Sequence, residues 1–290
     1  IKRIAKVTEK IVPFMSVVYL VGALAVILYN YENILPSFQH IFMDVFSGTA
    51  AAGGFLGSTF AFAFTKGVGR GLYSNEAGQG SAAIAHSAAK ADEPVSEGMV
   101  AILEPFIDTL VICTITGLVI LCSGVWTQKY DNEFQRADLA IVSGHYARGD
   151  AEQVAQLKAY LNKQESKVKL YEGALTIVDG KLTAGPAITI IHARSLAEQV
   201  RFYKDQQLFS GTLQIQKGQP VDKEVRLMGK SLIHSAVLTA EAFKMGFFGD
   251  YGQYIVSLGL LLFAFSTAIS WSYYGDRAIT YLLGTKFVLP

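Results

Sequence analysis

Four stretches of the chain run without a charged side chain for long enough to cross a bilayer: residues 11–29, 45–65, 109–128 and 252–275. Since about 20 helical residues span the hydrocarbon core, the pattern predicts four membrane helices. Pro13 is expected in the first turn of the first one, where a missing N–H is tolerated. The third is expected to start earlier, near Gly98, which takes Glu104 and Asp108 into the helix. The fourth is greasy yet carries Ser257, Ser266, Thr267, Ser270 and Ser272. Such hydroxyls can bond a helix backbone or supply oxygen ligands to a small hard cation.

Between residues 129 and 226 the pattern turns water-soluble. Val154, Leu157, Tyr160 and Leu161 recur at helical spacing within 150–164. Residues 170–182 read as a hairpin turning at Asp179-Gly180, and 187–191 and 211–216 as further short strands. The expected organisation is membrane helices in 1–128, an α+β insertion in 129–240, and membrane helices again in 241–290. No metal-ligand cluster or catalytic pattern stands out in the insertion.

Charge orients the spans. Lys2, Arg3, Lys6 and Lys10 precede the first, residues 30–40 hold no Lys or Arg, and Lys66, Arg70 and Lys90 follow the second. Arg277 and Lys286 follow the fourth. The positive-inside rule then runs the chain in-to-out, out-to-in, in-to-out and out-to-in, leaving the insertion outside the cytoplasm. Composition agrees with a mixed membrane and aqueous chain: 51% hydrophobic, 17% charged, mean hydropathy +0.32. A net charge of +1 gives no basic face for nucleic acid. Cys113 and Cys122 would lie about 13 Å apart on one helix, too far for a disulfide. The chain starts without Met, and both ends read as cut, so an internal piece of a longer protein is expected.

Gly48, Gly53, Gly54 and Gly57 interrupt the second span. Each weakens a helix by roughly 1 kcal/mol relative to Ala. One reading is a broken helix whose freed backbone lines a solute cavity; the other is close helix packing through small residues. Thr49 beside the break could bond a polar solute, and Trp271 could wall a small pocket. Glu104 and Asp108, four apart, share a helix face, and carboxylates inside a membrane are costly enough to suggest a role. The glycines of 67–71 do not make a phosphate loop, because no strand precedes them and no lysine follows.

Four phrases then carry a resemblance: RIAKVTEKIVPFMSVVYLVGAL (3–24), GVGRGLYSNEAGQGSAAIAHSAA (67–89), EPFIDTLVICTITGLVIL (104–121) and FAFSTAISWSYYGDRAITYLLG (263–284). Together they resemble the alanine or glycine:cation symporter family. That resemblance implies an all-α membrane protein with part of an inverted-repeat amino-acid-transporter (LeuT-like) fold, carrying a small α+β extramembrane insertion. The spans would be the fifth to eighth helices, with a ninth beginning. Thr49, Ala51, Thr267 and Trp271 would face the substrate, Gly53 and Gly54 would offer backbone at the break, and Ser266 with Thr267 would ligate sodium. Arg70, Asn75, Glu76 and Asp108 would serve a cytoplasmic gate or coupling.

The resemblance further implies sodium-coupled symport of a small neutral amino acid by alternating access in the plasma membrane (a bacterial inner membrane), without enzyme activity. Sodium would be the coupling ion and no other cofactor is expected. Its partners would be the amino acid, sodium, lipid and the missing helices of the full-length chain, with no nucleic acid. The alternative reading is a membrane sensor or receptor whose external domain binds a ligand.

Overall fold

The computed structural model describes residues 2–47, 54–183 and 185–287. They form two units: Ile1–Ser37, Phe64–Ser123 and Thr239–Pro290 in the first, Phe38–Ala63 and Gly124–Leu238 in the second. Helix α1 (Lys2–Tyr29) leads to α2 (Ile34–Ser47), α3 (Phe60–Tyr73), and the short turns α4 (Glu76–Gln79) and α5 (Ala82–His86). Then α6 (Pro94–Pro105) passes through a π-helical stretch, Phe106–Ile112, into α7 (Cys113–Ser123). The second unit adds α8 (Ala151–Leu161) and eleven strands, and the chain returns through α9 (Ser235–Lys244) to the long α10 (Gly252–Leu283).

Among the described residues, three helical segments are long and apolar enough to cross a membrane: Lys10–Tyr29, Pro94–Ser123 and Gly249–Leu283. Helix α1 packs on both α10 and α7, and small residues set the spacing. A Cβ on Gly22 would stand 3.0 Å from Ile255 Cδ1 and from Phe243 Cε1, and one on Gly246 would stand 2.8 Å from Val26 Cγ2. Without a hydrophobic drive between helices in lipid, such close packing and polar ties hold them together. Tyr19 Oη lies 2.7 Å from Thr116 Oγ1, joining α1 to α7. Asn30 Nδ2 donates to the Met245 carbonyl (2.7 Å) and Asn33 Nδ2 to that of Cys122 (2.8 Å), satisfying carbonyls at helix ends. Pro13 falls inside α1 rather than in its first turn, because the basic residues ahead of it continue the helix back to Lys2.

The second unit is built on strands. β1 (Tyr130–Glu133) begins it, followed by β2 (Leu139–Ser143), β3 (Gly173–Val178), β4 (Lys181–Leu182), β5 (Ile188–His192) and β6 (Ser195–Leu196). β7 (Glu198–Lys204), β8 (Gln207–Leu208), β9 (Gly211–Gln216), β10 (Gln219–Pro220) and β11 (Arg226–Ser231) complete it. Three antiparallel sheets result, ordered β1-β11-β7-β8, β10-β9-β3-β4 and β2-β5-β6. Because successive side chains point to opposite faces, β2 serves two cores at once. Leu139 and Ile141 join Leu175, Ile177, Phe202, Leu213 and Leu227 on one side. Val142 joins Leu157, Val168, Ile191, Leu196 and, from far upstream, Leu56 on the other.

These strands overturn the all-α expectation, and with it the assignment to an inverted-repeat LeuT-like fold. The described residues hold three membrane-length helices, not four, beside three antiparallel sheets. The missing fourth is the 45–65 stretch. Helix α2 ends at Ser47, residues 54–59 are non-helical, and α3 starts at Phe60. Its apolar residues serve another purpose, since Leu56 is buried among strands.

His192, at the end of β5, ties the three-stranded sheet to β11 of the β1-β11-β7-β8 sheet. Its Nε2 accepts from the Gln135 N–H (3.0 Å), so Nδ1 carries the proton towards Ser231 Oγ (2.7 Å), and the ring stacks on Phe134 with centroids 4.6 Å apart. With both nitrogens engaged, the Ser231–His192 pair is a structural tie rather than a nucleophile and base. Burial pushes the imidazole pKa down to about 4, and the Asp138 carboxylate opposes that only in part. Unfolded chain therefore binds the proton first, near pH 6.5, and stability falls as pH drops from there towards 4. The loss amounts to at most about 3 kcal/mol. In a Trp271→Phe background, the urea midpoint of Trp126 fluorescence is expected to fall between pH 7 and pH 5, and His192→Asn to flatten that fall. A midpoint constant over this range would contradict the neutral buried ring.

Candidate functional site: a carboxylate cluster around Asn75 and Glu76

Helix α3 ends at Tyr73, and the next residues are tied back at once. Ser74 Oγ donates to the Gly71 carbonyl (3.0 Å) and lies 3.1 Å from Thr109 Oγ1. Asn75 is extended and caps α4, its Oδ1 accepting from the Gly78 N–H at 2.8 Å. Its Nδ2 then reaches Thr109 Oγ1 at 3.3 Å. Only glycine fits at 78, because a Cβ there would run into the Leu72 carbonyl oxygen. Gly80 closes α4 in the left-handed region, at φ +82°.

This tight turn aims Glu76 at two long helices. The Glu76 N–H donates to Glu104 Oε1 on α6 at 2.8 Å, and Tyr274 Oη on α10 donates to Glu76 Oε1 at 3.0 Å. Ser81 Oγ donates to the other carboxylate oxygen, Oε2. His86 continues the network: its Nδ1 lies 2.6 Å from Glu97 Oε1 and its Nε2 3.7 Å from Glu104 Oε2. The hydrogen bond to Glu97 raises the His86 pKa above its ordinary value, partial burial opposing.

Asp108 stands on the π-helical turn, within reach of Ser74 and Glu104. Its Oδ2 is buried without a hydrogen-bond partner among the described residues. A π turn shifts the register of everything beyond it and often marks a functional position. The cluster thus gathers Glu76, Glu97, Glu104 and Asp108 with a single imidazole and several hydroxyls. Such oxygens attract a hard cation or exchange a proton. No group of three or more His, Cys, Asp or Glu among the described residues is arranged to hold a metal ion.

The other sequence-chosen residues separate. Arg70 is exposed in the last turn of α3, outside this network. Ser266 is buried, but its Oγ donates to the Phe263 carbonyl of its own helix at 3.0 Å. Thr267 beside it is exposed, and Trp271 is half exposed with its ring 6.4 Å from that of Tyr274. Gly54 is buried in the second unit, its N–H donating to the Thr127 carbonyl. Thr49, Ala51 and Gly53 lie outside the described residues.

Sequence reasoning missed Tyr274, Ser81, His86 and Glu97. One signal was available: Glu97, Glu104 and Asp108 are spaced by seven and four, the stagger of one helix face. Nothing local announces Tyr274, which is 198 residues from Glu76.

Two outcomes test this geometry. Gly78→Ala should cost about 3 kcal/mol or more, since the methyl must displace backbone; melting of the purified protein and protease cleavage within 72–82 would report it. Glu97→Gln should return the His86 pKa towards its ordinary range. The pH profile of His86 modification by diethyl pyrocarbonate measures that shift, and an unmoved profile would remove Glu97 as the cause.

Comparison with known proteins fits this picture. The sodium:alanine symporter family matches residues 1–149 and 224–290. An uncharacterized transporter of Bacillus subtilis, YflA, is 42% identical over 146 residues, covering 50% of this chain and 31% of that protein. The sodium/alanine symporter AgcS of Methanococcus maripaludis is 29% identical over 286 residues, covering 99% of this chain and 40% of its own length. A sodium/proton-dependent alanine carrier protein of Bacillus sp. PS3 is 42% identical over 124 residues, 43% of this chain and 27% of that one. The chain therefore spans between about a quarter and two fifths of these relatives. No solved structure matches it.

Proposed function

The chain belongs to the sodium:alanine symporter family and is part of a multi-pass plasma-membrane transporter; from that premise we propose that the whole protein carries a small neutral amino acid, alanine or glycine, together with sodium. The observation that carries this reading is Glu76, whose N–H donates to Glu104 on α6 while its carboxylate accepts from Tyr274 on α10. A carboxylate in that position changes its interactions when a cation or proton arrives, and Glu104 and Tyr274 both sit on membrane-length helices. Coupling needs such differential affinity, because an ion that binds both states equally shifts nothing.

In this reading Asn75 shapes the turn, Glu76 and Asp108 respond to the coupling ion, and Arg70 contributes positive charge at the cytoplasmic end. Thr267 and Trp271 border the substrate path, with Ser266 and Thr267 offering oxygen to sodium. Thr49 and Ala51 are further substrate contacts in this reading, and Gly53 and Gly54 offer backbone. Relatives named for sodium and for sodium with protons leave two coupling ions to separate by experiment.

The test is uptake of labelled alanine and glycine by the complete protein in liposomes, with sodium and proton gradients imposed separately. Accumulation against a gradient under sodium is expected. Glu76→Gln should lower the maximal rate by about tenfold or more, the scale of losing a charged hydrogen-bonded partner. Thr267→Val should weaken the sodium dependence. Absence of accumulation under either gradient would end the proposal, and normal sodium dependence in Thr267→Val would remove that residue from the ion site.

A further inference from the structure

Residues 54–59, just ahead of α3, form no helix, and the second unit receives their backbone group by group. The Gly54 N–H goes to the Thr127 carbonyl, the Leu56 N–H to that of Arg194 (3.0 Å), and the Thr59 N–H to Asn162 Oδ1 (3.4 Å). The side chain of Arg194 closes the arrangement. Its Nη2 donates to the Gly57 carbonyl at 2.6 Å and to Asn162 Oδ1 at 3.0 Å, and its Nη1 to the Leu161 carbonyl at 3.2 Å. The guanidinium also lies over the Phe62 ring, 4.1 Å from its centroid, on the first turn of α3. One side chain thus touches the strap, the end of α8 and the start of α3.

The backbone under Arg194 is unusual in the same place. Ala193 and Arg194 turn β5 into β6 with φ of +46° and +58°, a region that glycine would occupy more readily. Asp205 and Gln206 make the same kind of turn between β7 and β8, at φ +50° and +64°. Arginine suits the task, since its planar fork can serve several carbonyls while its face covers a ring.

We propose that Arg194 is a positioning residue of the transporter, fixing the 54–59 strap and the first turn of α3. Thr59 begins α3, its Oγ1 accepting from the Phe62 N–H at 3.3 Å. The same helix runs on to Tyr73, next to Asn75 and Glu76. The transport consequence rests on the function proposed above; the fixing of the strap does not.

The experiment compares the full-length protein with Arg194→Gln, Arg194→Lys and Phe62→Leu. Hydrogen exchange of peptides covering 54–63 reads the strap, and alanine uptake in liposomes reads transport. Arg194→Gln is expected to speed exchange there by about tenfold or more, while β3 and β9 stay protected. The maximal uptake rate should fall by about fivefold, with KM within about twofold. Lysine keeps the charge without the fork and should fall between. Should Arg194→Gln fail to fold, Phe62→Leu, which removes only the ring beneath the guanidinium, decides on the same two readouts with smaller shifts in the same direction. Unchanged exchange in 54–63 overturns the proposal. Faster exchange with uptake unchanged overturns its positioning role. If the wild-type protein accumulates no alanine, the transport reading fails, and the exchange arm still decides whether Arg194 fixes the strap.

Discussion

Backbone outside a helix or sheet must still find partners for its N–H and C=O groups, and the stretch after α2 is where this chain meets that demand. Glycines and small residues weaken the helix, so residues 54–59 leave it. In a bilayer such freed groups are tolerated only against protein or water. Here the partners are Thr127, Arg194 and Asn162 of the second unit. That requirement explains why a segment apolar enough to read as a span does not become one. Leu56 is apolar because it fills a core between strands.

The carboxylate cluster follows a different rule. A charge inside a membrane protein persists only where other groups compensate it, and each glutamate here has a named partner. Glu104 accepts a backbone N–H, Glu76 accepts from Tyr274 and Ser81, and Glu97 faces His86. Asp108 is the exception, with one buried oxygen unpaired among the described residues. An unpaired buried acceptor is costly to keep.

Periodicity made the first and last membrane helices legible. Residues 11–29 and 252–275 lie inside α1 and α10, and the third stretch ends with α7 at Ser123. One hairpin was read where glycine marks the turn, at Asp179-Gly180 between β3 and β4. Lys217-Gly218 adopts the same positive φ between β9 and β10, though only the strand before it was read. The turns at Ala193-Arg194 and Asp205-Gln206 take the same conformation without glycine, so the strands they join carried no such mark. At the site, Asp108 stood out locally as a carboxylate in an apolar span, while Asn75 and Glu76 entered only through the family resemblance. Their partners did not stand out, because contacts between distant helices leave no local pattern.

The insertion's second core bears on what the insertion is for. The family match stops at residue 149 and resumes at 224. Leu157, Val168, Ile191 and Leu196 fall in the unmatched part, and Val142 and Leu56 in the matched part. A self-contained domain added to a loop would close its core with its own residues. This one leaves a place that Leu56 fills, at 1% exposure, from beside the interrupted helix. Vacating such a site typically costs 2–5 kcal/mol for a leucine, a large part of the stability of a small domain. The insertion and the strap therefore fold as one body, and any force on α3 at its first turn is resisted by a packed core rather than by a loop.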